Sequence, residues 1–557
     1  MTTDQRAQEL TAVVTRDGWR RWLALAAALL LLNATLSFEN LWPTPAIRWH
    51  GELSIELAVA VLALLAARSR FGVPSRAVLR ALSWFWVVLI VGHYADVTAA
   101  ALFGRDLNLY WDLRFVPDIS AFMVRGAPLG LAVSIGIGTL LTFLILYGLV
   151  RWAWGRVADA AASRLQAKLL AWFAAAAVVM FVAVHLTADA SRVPIFSKPV
   201  TQTYARQIRL TAQALAGRTS LPASPAMNSN FSRAKDADVF LIFLESYGAV
   251  SYDRPEFVEH LAPARKQFEE AIRGTGRDVV SAYVESPTFG GSSWLAHINL
   301  LSGLEIRNPD QNALLMTQHR DTLVGAFARH DYRTVALMPA LIHPWPEGAF
   351  YGFDEIYTND RLAYRGPLFG WFDMSDQSAL ARFDALELRH RTSITMGSPL
   401  FVFFPTISTH TPFSPVPPYQ PDWRRAATDH PYDQPDLDRA LAKQPDWLNL
   451  SPAYVEALTY AYATIGGYLR VHADRDLVMI VIGDHQPPAL VTGPGASWDV
   501  PVHVIASRRA ILDRLLAAGF RAGLGPERPV RGPMSALLPI LLDAFGGRQT
   551  SSITASH

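Results

Sequence analysis

The sequence predicts a five-helix transmembrane bundle followed by an α/β domain with a largely parallel central sheet. Three observations predict it. Apolar segments of bilayer-spanning size crowd residues 1–188. Over residues 237–546, short apolar, β-branched runs alternate with helical stretches, the pattern of strands buried on both faces between helices. The apolar runs end in polar residues: Glu245-Ser246 follows Val239–Leu244, and Gly483-Asp484-His485 follows Leu477–Ile482.

In the first part the apolar segments are 22–38, 53–67, 82–103, 129–152 and 169–186. A helix needs roughly 20 mainly apolar residues, in a range of about 17–25, to cross a bilayer. The second segment is the shortest. No small-residue cleavage site follows the first, so it reads as a span and not as a removable signal. Arg16, Arg20 and Arg21 precede the first segment, Arg68, Arg70, Arg76 and Arg80 surround the second loop, and Arg151, Arg156, Arg164 and Lys168 surround the fourth. The other loops are balanced in charge. This alternation predicts a multi-pass protein of the inner (cytoplasmic) membrane with its N-terminus in the cytoplasm and everything after residue 186 periplasmic or extracellular. Trp42, Tyr110 and Trp111 fall in outer loops, where amphipathic aromatics mark the interface. Asp96 lies towards the outer end of the third segment, where water is expected to solvate it. Residues 189–236, with Pro194, Pro199, Pro222 and Pro225, read as an extracytoplasmic linker containing a short amphipathic helix over 202–217; residues 547–557 read as a tail.

Composition excludes several function classes. A net charge of +2 gives no basic surface for nucleic acid. The chain has no cysteine, so disulfides, thiolate-held zinc and thiol catalysis are excluded.

In the outer domain, strands are expected at 239–244, 279–284, 334–338, 400–404, 477–482 and 500–506. Helices are expected at 257–273, from Trp294 to Ser302, and at 322–330, 454–472 and 535–545. The proline-rich stretch from Pro412 to Pro452 reads as a long insertion. Ligands in open α/β sheets sit outside the carboxyl ends of the strands. That rule brings Glu245, Asp484 and His485 to one edge, with Ser293 of Gly290-Gly291-Ser292-Ser293-Trp294 beside them.

Two carboxylates and one imidazole suit a divalent cation, Mn²⁺ or Zn²⁺, with Mg²⁺ a third candidate. A serine hydroxyl becomes a usable nucleophile when a metal lowers its pKa. Two glycines before it allow an anionic substrate close to the backbone, and a helix starting at Trp294 aims amides at a phosphate or sulfate. Taken singly, each feature is more often ordinary: a carboxylate after a strand, a Gly-Ser loop, an Asp-His pair. All of them at strand ends in one domain favour a site. His410, in Thr409-His410-Thr411-Pro412-Phe413, is a candidate general acid or base and substrate contact. His343 and Trp345 are candidate substrate contacts. His503, inside a strand, reads as a core residue, and His297 as packing or support.

These motifs, Leu244-Glu245-Ser246, Gly291-Ser292-Ser293, Thr409-His410-Thr411-Pro412-Phe413 and Gly483-Asp484-His485 behind five spans, resemble the lipoteichoic acid synthase type of the sulfatase-like, alkaline phosphatase superfamily. Periplasmic phosphoglycerol and phosphoethanolamine transferases are relatives of that type. The resemblance implies an alkaline phosphatase-like domain, with Glu245, Asp484 and His485 as metal ligands and Ser293 as both metal ligand and nucleophile. It implies that His410 contacts the transferred phosphoryl group. Ser292 is the runner-up nucleophile. Two departures limit it. Ser292-Ser293-Trp294-Leu295-Ala296-His297 lacks the Pro/Ala and Arg that formylglycine sulfatases need. The loop after Met338 has Pro339 where the synthases place a His, and no Arg near Trp345, which leaves the head group open.

The expected function is metal-dependent transfer of a phosphoglycerol or phosphoethanolamine head group. The donor is a membrane phospholipid and the acceptor an extracytoplasmic glycan or lipid, with a phosphoserine intermediate. The alternatives are a phosphodiesterase or sulfuric ester hydrolase on the same scaffold, and a membrane-anchored binding protein without catalysis.

Overall fold

The structure, a computed structural model, describes residues 3–40, 46–103, 107, 109, 129–186, 195–215, 221–341, 345, 348–370, 372–393 and 397–546. Two compact units divide near residue 216. Trp42, Tyr110 and Trp111 lie outside the described residues.

The first unit contains α1 (Thr3–Ala34), α2 (Ile55–Phe71), α3 (Arg76–Phe103), α4 (Leu129–Ala160) and α5 (Arg164–Leu186). Among the described residues, three helical stretches are long and apolar enough to cross a membrane: 76–99, 133–160 and 164–184. Five spans were expected, and the two that fall short do so for length. In α1 the polar, charged sequence up to Arg21 leaves only Trp22–Ala34 apolar before the helix ends. At 1.5 Å per residue that is about 20 Å, against a hydrocarbon core of about 30 Å. Helix α2 has 17 residues, about 26 Å. Ser54 caps its start by accepting from Leu57 N, and Gly72 at φ 82° stops it just after Arg68 and Arg70.

Helix α6 (Val200–Leu215) belongs to this unit. Thr201 donates to Glu56 Oε1 from its amide at 3.1 Å and its hydroxyl at 3.2 Å. Thr203 Oγ1 donates to Asp96 Oδ2 at 2.9 Å, and Arg206 pairs with the other oxygen. Asp96 is therefore buried under α6 and ion-paired rather than solvated by water.

The second unit is built on β1 (Asp238–Leu244), β2 (Asp278–Glu285), β3 (Arg333–Met338), β4 (Glu355–Thr358), β5 (Leu400–Pro405), β6 (Leu477–Gly483), β7 (Asp499–Ala506) and β8 (Arg521–Ala522). Their order across the sheet is β8-β2-β7-β6-β1-β5-β3-β4. The run β6-β1-β5-β3-β4 is parallel; β7 pairs antiparallel with β6 and β2, and β8 antiparallel with β2. Alternate residues of β1 enter opposite cores. Val239, Leu241 and Phe243 face one that includes Leu537, Leu538 and Leu541. Phe240, Ile242 and Leu244 face one that includes Phe257, Phe268 and Tyr468. Helices cover both faces, which is why the strand is uniformly apolar. Each such side chain contributes about 1.5–3 kcal/mol by leaving water.

Candidate functional site

Four segments supply the site. Glu245 is the first residue past β1, and Asp484 and His485 the first past β6. In register Leu244 lies opposite Gly483, so the acidic groups emerge side by side. A Cβ at Gly483 would lie 1.8 Å from the Tyr247 carbonyl oxygen, so this position requires glycine. Helix α7 (Ser293–Ser302) starts at the nucleophile candidate. Its N-cap, Ser292, holds a left-handed conformation at φ 62° and makes no capping bond through its side chain. Ser246 is also left-handed, at φ 56°. Two such non-glycine residues beside one cluster are stored strain of the kind that gathers at functional sites.

Ser293 Oγ lies 2.9 Å from Glu245 Oε2 and 3.1 Å from His485 Nε2. His485 Nε2 lies 3.5 Å from both Glu245 Oε1 and Asp484 Oδ2. His485 Nδ1 is 2.7 Å from the Gln486 carbonyl, which can only accept, so Nδ1 carries the proton and Nε2 presents its lone pair to the cluster. The donor atoms of Glu245, Asp484 and His485 all lie within 4.8 Å of one another. Four ligands about 2.1 Å from one metal in a tetrahedron are separated by about 3.4 Å. The separations given above, 2.9–3.5 Å, lie near that spacing, and the oxygen and nitrogen donors suit a divalent cation.

Electrostatics lead the same way. Burial and then the neighbouring Glu245 push Asp484 up to about 7. Burial lowers His485, but the Asp484 and Glu245 carboxylates outweigh it and its pKa rises overall. Among the described residues no arginine or lysine pairs with Glu245 or Asp484, and two buried carboxylates that share only an imidazole are a set that a divalent cation would relieve.

The supporting shell was not foreseen from sequence. Asp484 Oδ1 accepts from Ser246 N at 2.8 Å and from His485 N at 2.6 Å. Ser286 Oγ donates to the Asp484 carbonyl at 2.5 Å, and Gly290 N to the Gln486 carbonyl at 3.1 Å, tying the serine loop to the segment after β6. Glu245 N donates to Thr406 Oγ1 at 3.0 Å, and Thr409 Oγ1 donates to the Glu245 carbonyl at 2.6 Å. Asp376 starts α8 (Asp376–Ser393) and accepts from Ile407 N at 2.8 Å and Ser408 N at 3.0 Å. Gln486, directly after Asp484-His485, carried a signal by position. Asp376 carried none, being remote in sequence from every motif.

His410 sits on this loop, exposed at the rim, with Nδ1 2.7 Å from the Thr411 carbonyl. It is close enough to sense the charges of His485 and Asp484. His343 lies outside the described residues. The Trp345 ring packs 5.4 Å from Tyr351 against the core that includes Val239 and Phe243. His503 is buried in β7, 2.9 Å from Tyr247 Oη and 2.6 Å from Ser281 Oγ. His297 packs against Phe243 and Phe403, its pKa pushed down to about 4 by burial.

No family model matches the chain, and no curated protein matches it by sequence. Among solved structures it is similar to the integral membrane lipooligosaccharide phosphoethanolamine transferase A of Neisseria meningitidis. The identity is 13%, covering 86% of this chain and 87% of that one, with a TM-score of 0.46. It is similar to the lipoteichoic acid synthase LtaP of Listeria monocytogenes at 13% identity, covering 53% and 70%, TM-score 0.35. It is also similar to the phosphoglycerol transferase GacH of Streptococcus pyogenes, bound to sn-glycerol-1-phosphate, at 11% identity, covering 61% and 80%, TM-score 0.35. At these identities and TM-scores, the chemistry has to be read from this chain's own residues.

Proposed function

We propose that the protein is a metal-dependent phosphotransferase of the outer face of the cytoplasmic membrane, moving a phosphoglycerol or phosphoethanolamine head group from a phospholipid to a glycan or lipid hydroxyl. The observation that carries this is the placement of Ser293 Oγ within 2.9 Å of Glu245 and 3.1 Å of His485, at the edge of a buried acidic cluster. Glu245, Asp484 and His485 would hold the cation, with Ser293 alongside. A bound divalent cation supplies positive charge that lowers the pKa of the Ser293 hydroxyl and offsets charge on the phosphoryl oxygens.

Ser293 Oγ, its hydroxyl proton released to water, attacks phosphorus in line, and it regains a proton when the acceptor displaces it. The Oγ–P bond forms as the bond to the diacylglycerol oxygen breaks, giving a phosphoseryl enzyme. His410 protonates the departing oxygen, then takes the proton from the acceptor hydroxyl as that oxygen attacks phosphorus and frees Ser293. Amides at the start of α7 face the anionic group. Tethering to a membrane unit keeps the domain where a lipid donor is concentrated.

Incubation of the detergent-purified chain with labelled phosphatidylglycerol or phosphatidylethanolamine, with and without chelator, tests this reading by intact mass. A metal-dependent adduct on Ser293 supports it and names the donor. No adduct, with turnover of a soluble phosphodiester or sulfate ester, replaces it with a hydrolase.

A further inference from the structure

The first unit contains an apolar cavity of about 650 Å³ that no step of the proposed reaction uses. Helices α2 and α3 form its long walls. On α2 the lining residues include Ala60, Ala63 and Ala67, whose small side chains leave the space open; on α3 they include Leu82 and Leu89. Along α2 the lining runs from Ile55 to Ala67, a rise of about 18 Å at 1.5 Å per residue. One leaflet of the hydrocarbon core is about 15 Å thick. The cavity therefore has the length of one acyl chain, and its volume is that of a ligand pocket.

One end is chemically different. Glu56 and Thr201 line it, where α6 meets α2. Glu56 is 8% exposed. It accepts from Thr201 N, Thr201 Oγ1 and, at 2.8 Å, Ser54 Oγ. All three donors are neutral, and among the described residues no cation pairs with Glu56. A buried carboxylate with only neutral donors is a place where a cationic group gains a strong interaction.

We propose that this groove holds one acyl chain of a phospholipid whose ammonium head group meets Glu56. An anionic head group without an amine, such as phosphoglycerol, would set like charges together and bind worse. The groove shares no residue with the Ser293 cluster, and the proposal stands whether or not that cluster transfers phosphoryl groups.

Native mass spectrometry of the full-length chain, purified in detergent and exposed to phosphatidylethanolamine or phosphatidylglycerol, tests it. A Ser293→Ala background keeps either lipid from being consumed. We expect the amine lipid to be retained about tenfold more strongly, the scale of one charge-assisted hydrogen bond. Glu56→Gln should bring the two lipids level, and Ala63→Phe should release both. Equal retention by the unsubstituted groove, or unchanged preference in Glu56→Gln, overturns the head-group assignment. Should Ala63→Phe fail to fold, a phosphatidylethanolamine with a photoreactive acyl chain decides. Labelling of α2 and α3 peptides around Ala63 and Leu82 supports the groove, and labelling elsewhere or none overturns it.

Discussion

Ser293 is held between a carboxylate and an imidazole, so its loss should separate chemistry from binding. In Ser293→Ala the buried Glu245, Asp484 and His485 remain. Transfer should fall by about 10³-fold or more, the scale for removing a nucleophile, while bound metal persists by elemental analysis. Ser292→Ala should retain most activity, since its side chain makes no capping bond. Asp484 sets a pH dependence. Its folded-state pKa of about 7 lies above the ordinary carboxyl value, so the metal-free fold keeps a proton that the unfolded chain has released. Metal-free stability from this group is therefore present at low pH and is lost as pH rises from about 4 to about 7. Metal needs the ionised form, so calorimetric affinity should weaken about tenfold per pH unit below about 7. An affinity flat from pH 5 to 8 would contradict this. Gly483→Ala puts a methyl group 1.8 Å from a carbonyl oxygen that cannot withdraw without moving Tyr247. A loss of about 1–3 kcal/mol in denaturant unfolding is expected.

At the scale of elements, the loop after β5 is the piece whose support the sequence hid. Its apolar strand and its histidine were both legible, because five consecutive apolar residues, Leu400–Phe404, with the polar Thr406–His410 just beyond them, are a strand ending in polar groups. What fixes the loop was not. Asp376 acts from the start of a helix whose charged, interleaved sequence showed no clear apolar stripe, and it reaches residues 407 and 408 only through tertiary packing. Asp376→Ala should leave two buried amides without an acceptor, costing about 1–3 kcal/mol and lowering turnover while metal content stays unchanged. The antiparallel direction of β7 was equally hidden, since an apolar run reads the same either way. The parallel strands were legible because helices bury both of their faces. The bundle was over-read: hydropathy finds apolar runs but not helix ends, and α1 stops at Ala34 before its apolar stretch is bilayer-long.

Across the whole molecule, two compact units with separate cores lie on one chain. Metal should therefore report on only one of them. Chelation should lower the melting temperature of the unit from residue 221 onward and leave the membrane unit unchanged. A metal present at 100 times its dissociation constant contributes about 2.7 kcal/mol to the unit that binds it. Scanning calorimetry in detergent, with transitions assigned by hydrogen exchange, checks this.

Ser246 and Asp484 touch across 238 residues of chain, and β6 ends at Gly483. A polypeptide made from its N-terminus delivers Glu245 and Ser293 long before their partners. Throughout that interval β1 has no β6 to pair with, and the half-built cluster offers a passing metal a single carboxylate. The centre is therefore a late event in biogenesis, completed in one step when the strand carrying Asp484 and His485 docks. Any chain cut short before Gly483 has no partly working form.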